Sequence, residues 1–138
     1  MTDDQPLFDR VDGAAFFIRL VDRFYAGVMD DPVLAPLYEV DDLDGARHRL
    51  SLFLMQYWGG PTTYDEERGH PRLRMRHAPY VIGTTERDRW LVHMTAAVDA
   101  ARRADEIDDA DRARLLEYFV MAADHMINSG GLRLRADR

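Results

Sequence analysis

Residues 70–80 read HPRLRMRHAPY, a short basic segment between two prolines that contains a histidine near its end. A proline removes a backbone donor and disfavours helical conformation in the residue before it, so roughly two helical turns at most fit between Pro71 and Ala78. His77 therefore lies at the C-terminal end of a short segment, in a rigid corner where a neutral imidazole can bind a metal. A solvated basic loop is the alternative interpretation of the stretch.

The amino-acid composition limits the kinds of ligand and macromolecule that the protein is expected to bind. The chain has 138 residues with 18 basic and 25 acidic side chains, a formal net charge of −7, which argues against a general nucleic-acid or anionic-membrane surface. The absence of cysteine excludes disulfides and thiolate metal ligands. The arginines at positions 68, 72, 74 and 76 are a local exception to this acidity and suit an anionic ligand group.

The length of the chain predicts one domain, residues 1–138, and its hydropathy predicts a cytoplasmic location. A chain of 138 residues is long enough to bury a sizeable core. The first residues are acidic and show no apolar signal segment, and no run of ~18 apolar residues is present to span a membrane.

Apolar residues recur at helical spacing almost throughout the chain, which predicts an all-α fold with four long helices. The first helix is expected to begin near Asp12 and to end before Asp30, and the last to run over about residues 109–128. We expect the third long helix to begin at a capping box between Thr85 and Asp88. The predicted inner faces are Phe17, Val21, Phe24 and Val28; Leu43, Ala46, Leu50, Phe53, Leu54 and Tyr57; Trp90, Met94, Ala97, Val98 and Ala101; and Leu116, Phe119, Val120, Ala123 and Ile127.

Among the five histidines, His77 is the best-placed metal ligand. His48 and His125 are each two positions away from inner-face residues, so they are expected at the surface, and His70 is expected in a loop. His93 follows Trp90 by three positions and could reach the flank of the buried face. The chain contains neither a His-Glu-x-x-His nor a Glu-x-x-His pattern, so a histidine-rich non-haem metal site is poorly supported.

One histidine can still hold iron if a porphyrin supplies the other ligands. Such a site needs a large apolar slot, arginines near the porphyrin carboxylates and hydrogen-bond donors opposite the histidine. The candidates are Phe24, Phe53, Leu54, Met94 and Val98 for the slot, Arg74 and Arg76 for the carboxylates, and Tyr25, Tyr38 and Trp90 as donors. A haem-free helical interaction module and a non-haem metal enzyme remain the alternatives, with these aromatics as ordinary core residues.

Several motifs carry a family resemblance. They are RFY at 23–25, LY at 37–38, YWGGP at 57–61, the whole of 70–80 and RDRWL at 87–91, and the similarity extends from about residue 6 to residue 130. The sequence resembles the group II truncated haemoglobins, globins with a tryptophan in the distal site. Two positions depart from the family pattern. Asp12-Gly13 replaces a frequent Gly-Gly pair between the first two helices, and Glu39 follows Tyr38 where proline is common.

The resemblance implies a truncated-globin fold, a two-over-two helical sandwich around haem b. It implies His77 as the proximal ligand of a pentacoordinate iron, and Tyr25, Tyr38 and Trp90 as the distal hydrogen-bond donors. Leu50 is expected over the haem, in a pocket with Phe53, Leu54 and Met94 and with Arg76 near the haem carboxylates. Ala46 falls where many globins have a distal histidine.

The implied ligands are dioxygen, nitric oxide and carbon monoxide, with peroxide or sulfide as further candidates. The resemblance favours oxygen binding or redox chemistry, such as nitric-oxide dioxygenase or peroxidase-like activity, over bulk oxygen transport. An unidentified reductase is the expected protein partner, and a homodimer is the candidate assembly.

Replacing His77 by glycine is expected to change the iron coordination and the absorption spectrum of the haem-loaded protein, because the imidazole is the predicted protein ligand. Absorption spectroscopy of purified His77→Gly measures this, with His70→Gly in the same segment as the matched control. A parent-like spectrum of His77→Gly, with no other side chain bound to the iron, would contradict the assignment.

Overall fold

The computed structural model describes residues 5–38, 40–69 and 82–128, and in this part of the chain every regular element is helical. Short 3₁₀ turns cover Ala35–Leu37 and Val40–Asp42. The α-helices are α1 (Leu7–Arg10), α2 (Gly13–Met29), α3 (Leu43–Tyr57), α4 (Thr63–Arg68), α5 (Thr84–Arg103) and α6 (Asp109–Met126). The four long helices that the apolar spacing predicts are α2, α3, α5 and α6.

Helix α2 is the centre of the core. Six of its side chains are fully buried: Phe16, Phe17, Leu20, Val21, Phe24 and Val28. The helix packs against both α3 and α5, and α5 packs in turn against α6. Burying a large apolar side chain stabilises a fold by roughly 1.5–3 kcal/mol, so this stripe contributes strongly to the packing of α2 against α3 and α5.

The short helix α1 was not anticipated from the apolar spacing, because four residues are too few to show a period. It joins α2 through Asp12 and Gly13, and Gly13 has a φ of +53°. That conformation is costly for a residue with a Cβ atom, so a single glycine supplies the bend at this hinge.

The YWGGP motif holds the N-terminal segment against the end of α3. The Phe8 amide donates to the Trp58 carbonyl at 3.0 Å, and the Gly60 amide donates to the Met55 carbonyl at 2.7 Å. A Cβ atom on Gly60 would come within 2.6 Å of the Phe8 ring, and one on Gly59 would overlap Pro6. The two glycines are therefore required by the close passage of residues 6–8.

Three details of the sequence prediction are wrong. Tyr57 and Val120 were expected to face inward, but they are 49% and 47% exposed. Helix α6 buries Tyr118 instead of Val120, so its buried face extends from Phe119 toward Tyr118 and not toward Val120. Helix α5 begins at Thr84, and its first turn is closed by Glu86, whose Oε1 accepts from the Gly83 amide at 2.7 Å, and not by Thr85 with Asp88.

The helices of the described residues include none that is both long enough and apolar enough to cross a membrane.

Candidate functional site

A cavity of about 530 Å³ lies among the long helices and has both apolar and charged walls. Its volume falls within the ~300–1,000 Å³ of typical ligand and cofactor pockets. The side chains that line it include Phe24, Tyr25, Leu34, Leu37, Tyr38, Ala46, Arg49, Leu50, Phe53, Leu54, Tyr64, Arg68, Arg87, Trp90, Tyr118 and Phe119.

The three predicted hydrogen-bond donors meet at one wall of this cavity. Tyr25 and Tyr38 pack edge to face with ring centroids 5.4 Å apart. Phe24 lies between Tyr25 and Trp90, with its centroid 5.1 Å from the tyrosine ring and 5.2 Å from the indole. Residues from three separate segments thus form one aromatic wall, with phenol and indole groups available as donors.

The Tyr25 hydroxyl is held in its neutral form. Tyr25 is only 4% exposed. Burial raises its pKa well above the ordinary value, and the neighbouring Tyr38, whose side chain shares a hydrogen bond with it, raises the pKa further. The nearby Arg49 and Arg47 act in the opposite direction without cancelling this effect. Tyr25 is therefore an uncharged phenol over the physiological pH range.

Most of the predicted slot residues line the cavity. Leu50, Phe53 and Leu54 of α3 all border it. Met94 and Val98 are fully buried in the core and are not among the described residues that line the cavity, so their contact with haem stays a prediction.

His77, Arg74 and Arg76 lie outside the described residues, so the proximal side of the site rests on the sequence. The described part of the chain brings three other arginines to the cavity, namely Arg49, Arg68 and Arg87. The helical period could have indicated Arg49, because it follows Ala46 by three positions and precedes Phe53 by four on the inner face of α3.

Two of these arginines are already paired with carboxylates at the rim. Arg49 Nη2 donates to Asp42 Oδ2 at 2.6 Å, and this contact lowers the pKa of Asp42. A Cβ atom on Gly45 would lie 2.9 Å from Arg49 Nη1, so the absence of a side chain there makes room for the guanidinium. Arg87 donates to Asp88 at 2.6 Å and also pairs with Asp124.

A second aromatic contact reaches from the cavity to the surface. Tyr118 lines the cavity and its ring centroid lies 4.1 Å from that of Tyr57, which is half exposed. Burial raises the pKa of Tyr118 to about 12. The predicted inner face of α6 contains Phe119 but not Tyr118, and no signal in the local spacing singles out Tyr118.

The described histidines, His48, His93 and His125, are not among the residues that line the cavity, and His70 lies outside the described residues. His48 is at the surface as predicted, with Nε2 3.1 Å from Glu67 Oε1. His125 is exposed. His93 points to Asp31, with Nε2 2.6 Å from its Oδ2 atom, and is not among the cavity residues. Among the residues that the structure describes, no three His, Asp or Glu side chains are grouped to hold a metal ion.

Comparison with known proteins identifies the family. A family model described as "Bacterial-like globin" matches residues 6–128. The chain belongs to this globin family. The globin is 40% identical over 116 residues to Group 2 truncated hemoglobin YjbI of Bacillus subtilis, with 84% of each chain covered. It is 35% identical over 119 residues to Group 2 truncated hemoglobin 3-1 of Lotus japonicus, covering 85% of this chain and 68% of the relative.

Solved structures agree with this assignment. The globin matches the hemoglobin of Chloroflexus aurantiacus with a TM-score of 0.84 at 47% identity, covering 91% of this chain and 99% of that chain. It matches the thermostable hemoglobin of Thermobifida fusca with a TM-score of 0.84 at 55% identity, covering 90% and 98% of the two chains. The resemblance to group II truncated haemoglobins and the two-over-two helical fold are confirmed.

The cofactor of this globin is haem with its iron. The cavity fits such a group, because apolar side chains form its body, neutral donors form one wall and arginines border its charged part. A globin that binds small ligands at haem is therefore the assignment, and the haem-free interaction module is not favoured.

Alkaline pH is expected to destabilise the parent globin more steeply than the Tyr25→Phe variant. The folded-state pKa of Tyr25 is raised above the ~10 of an unfolded tyrosine, so its stabilising effect is complete below pH ~10 and is lost as the pH rises through the folded-state value. One proton corresponds to a difference in slope of about 1.4 kcal/mol per pH unit above pH ~10.

Urea denaturation of the haem-loaded protein between pH 9 and 12 measures these slopes. The Phe24→Leu variant is the control, because it alters the same wall without removing a titrating group and should keep the parent slope. Equal slopes for the parent and Tyr25→Phe would show that Tyr25 ionises as it does in the unfolded chain.

Proposed function

We propose that this globin binds dioxygen and other diatomic ligands at a haem iron held by His77, with Tyr25, Tyr38 and Trp90 as hydrogen-bond donors on the opposite side. The observation that supports the proposal is the convergence of these three side chains on one wall of the cavity. A bound haem would supply the metal centre at which the diatomic ligand is held, with His77 as the protein ligand to the iron.

The donors would act on a ligand that carries partial negative charge. Tyr25 and Tyr38 share a hydrogen bond. A hydroxyl that accepts a hydrogen bond still has its own proton to donate. If Tyr25 donates to Tyr38, the Tyr38 proton is directed to the ligand, and Trp90 supplies an indole N–H, which can only donate. Each such bond contributes on the order of 1 kcal/mol in a dry pocket, and more toward a charged acceptor.

Charged side chains at the rim would bind the haem carboxylates. Arg49 and Arg68 are the described candidates, and Arg76 is the candidate outside the described residues. Guanidinium groups can pair with carboxylates through two parallel hydrogen bonds, and Arg49 already donates a single hydrogen bond to Asp42. Haem binding would then either replace the hydrogen bond of Arg49 to Asp42 or add a haem carboxylate beside it.

Retention of oxygen by several donors favours chemistry over bulk transport. We propose redox reactions of oxygen with nitric oxide, or a peroxidase-like reaction, as the role of the site, with sulfide as a further candidate ligand. Repeated turnover would need electrons from a reductase, which remains to be identified. A cytoplasmic location and a homodimer are part of the same proposal and are independent of the site geometry.

Replacing Trp90 or Tyr38 by phenylalanine is expected to accelerate oxygen dissociation by roughly tenfold or more, because each change removes one donor and ~1.4 kcal/mol corresponds to a factor of ten. Stopped-flow measurement of oxygen release gives the rates. Trp58→Phe is the matched control, since Trp58 is not a cavity residue and its variant should release oxygen at the parent rate. Parent-like rates in Trp90→Phe and Tyr38→Phe would reject the donor assignment.

Mixing the oxygen-loaded globin with one equivalent of nitric oxide is expected to yield about one nitrate per haem within a single turnover, because the pocket retains oxygen until nitric oxide arrives. Nitrate analysis after rapid mixing measures the yield, and the carbon-monoxide-loaded globin is the control and should yield none. Accumulation of nitrosyl protein without nitrate would count against the dioxygenase role while leaving oxygen binding in place.

A further inference from the structure

Asp31 is a buried carboxylate at the point where α2 gives way to the segment that leads to Tyr38. Its side chain is 0% exposed. Oδ1 accepts from the Val33 amide at 2.8 Å, and Oδ2 accepts from Arg89 Nε at 2.9 Å. The second partner of Oδ2 is His93 Nε2 at 2.6 Å. The hydrogen bond from His93 is the largest of several contacts that hold the pKa of Asp31 well below its usual range.

The partners of Asp31 belong to the segments that carry the three proposed donors. Asp31 itself follows α2, the helix of Tyr25, by two residues. The amide of Val33 lies in the segment that ends at Tyr38. Arg89 and His93 lie on α5, on either side of Trp90 in sequence. One carboxylate therefore connects α2, residues 33–38 and α5 next to the aromatic wall.

The imidazole of His93 has little freedom to move away from this contact. A Cβ atom on Gly27 would lie 2.5 Å from its Nδ1 atom, so the backbone of α2 passes directly against the ring. Because an ionised carboxylate can only accept hydrogen bonds, Nε2 must carry the proton when it faces Asp31. The ring is thus fixed between the backbone of one helix and a carboxylate at the end of the same helix.

We propose that Asp31 is the positioning residue of the distal wall, and that its contact with His93 keeps Trp90 in register with Tyr25 and Tyr38. The effect of Asp31 on oxygen binding rests on the proposed function, in which Trp90 is a donor to the ligand. A carboxylate is required because all of its neighbours are donors. An asparagine at this position keeps an acceptor for the Val33 amide, but its NH₂ group faces the Arg89 Nε–H, donor against donor, and it lacks the charge that keeps the His93 proton on Nε2.

The first test observes Trp90 directly, without reference to oxygen. In a Trp58→Phe background labelled with 5-fluorotryptophan, Trp90 gives the remaining ¹⁹F NMR signal. The parent is expected to show one narrow signal for the haem-loaded, carbon-monoxide-bound protein, and Asp31→Asn several signals or one broadened signal. Asp99→Asn is the control, because Asp99 is on the same helix as Trp90 and the change weakens its partly buried pair with Arg112 of α6, which should leave one narrow signal.

Two variants at His93 test the contact while the charge of Asp31 is kept. His93→Gln retains an N–H donor and is expected to show the parent signal, whereas His93→Ala is expected to resemble Asp31→Asn. The same order should appear in oxygen release, which is severalfold faster in Asp31→Asn and His93→Ala than in the parent or His93→Gln. These variants keep the proposal testable if Asp31→Asn does not fold.

Failure of this inference is distinguishable from failure of the proposed function. A single narrow parent-like signal in both Asp31→Asn and His93→Ala, measured well below their melting temperatures, would overturn the positioning role even if both variants are less stable. Unchanged oxygen release in Trp90→Phe and Tyr38→Phe would instead overturn the donor assignment, and the ¹⁹F result would still decide whether Asp31 positions Trp90.

Discussion

The packing of α2 against α5 is the contact on which the rest of the globin depends. On one side of it lie Phe24 and Val28, on the other Met94 and Val98, and all four side chains are fully buried. Protein interiors are packed as densely as organic crystals, so this contact permits little relative movement of the two helices. The cavity lies beside this contact. Because the two helices are held in place, the positions of Phe24 and Trp90 in the aromatic wall are fixed as well.

Phe24 shows how the core and the cavity share one structure. Its ring belongs to the fully buried stripe of α2 and also contacts both Tyr25 and Trp90 at the cavity wall. The polar tips at this wall are therefore supported from behind by apolar packing. Donors held in this manner lose little conformational entropy when a ligand arrives, which is the advantage of a preorganised site.

The sequence predicted the long helices well, because an apolar period of 3.6 residues over fifteen or more positions determines both the type of element and its buried face. The prediction was less accurate where the period is ambiguous. Tyr118 and Val120 lie about 100° to either side of Phe119 on α6, and the apolar period alone does not decide which of the two flanks is buried. Helix α1 is too short to show any period, and a capping interaction depends on which residue adopts the cap conformation.

The site was predictable in part, and for different reasons at each residue. Polar-tipped aromatics beside apolar stripes, within family motifs, predict Tyr25, Tyr38 and Trp90 as site residues, and the structure brings these side chains to one wall of the cavity. Met94 is buried but is not among the described lining residues, because the inner face of a long helix also includes residues that pack into the core. The network of Asp31 was not anticipated, since contacts between residues about 60 positions apart leave no trace in local spacing.

The ring pair of Tyr57 and Tyr118 makes one part of the cavity wall only two aromatic side chains thick. The outer ring is half exposed to solvent, and the inner ring borders the interior space, with 4.1 Å between their centres. A substituent on the outer phenol would be carried by a ring that directly contacts the inner one. The surface of the molecule is thus mechanically connected at this point to the volume that holds the cofactor, and Tyr57 offers a natural attachment point for a probe of pocket occupancy.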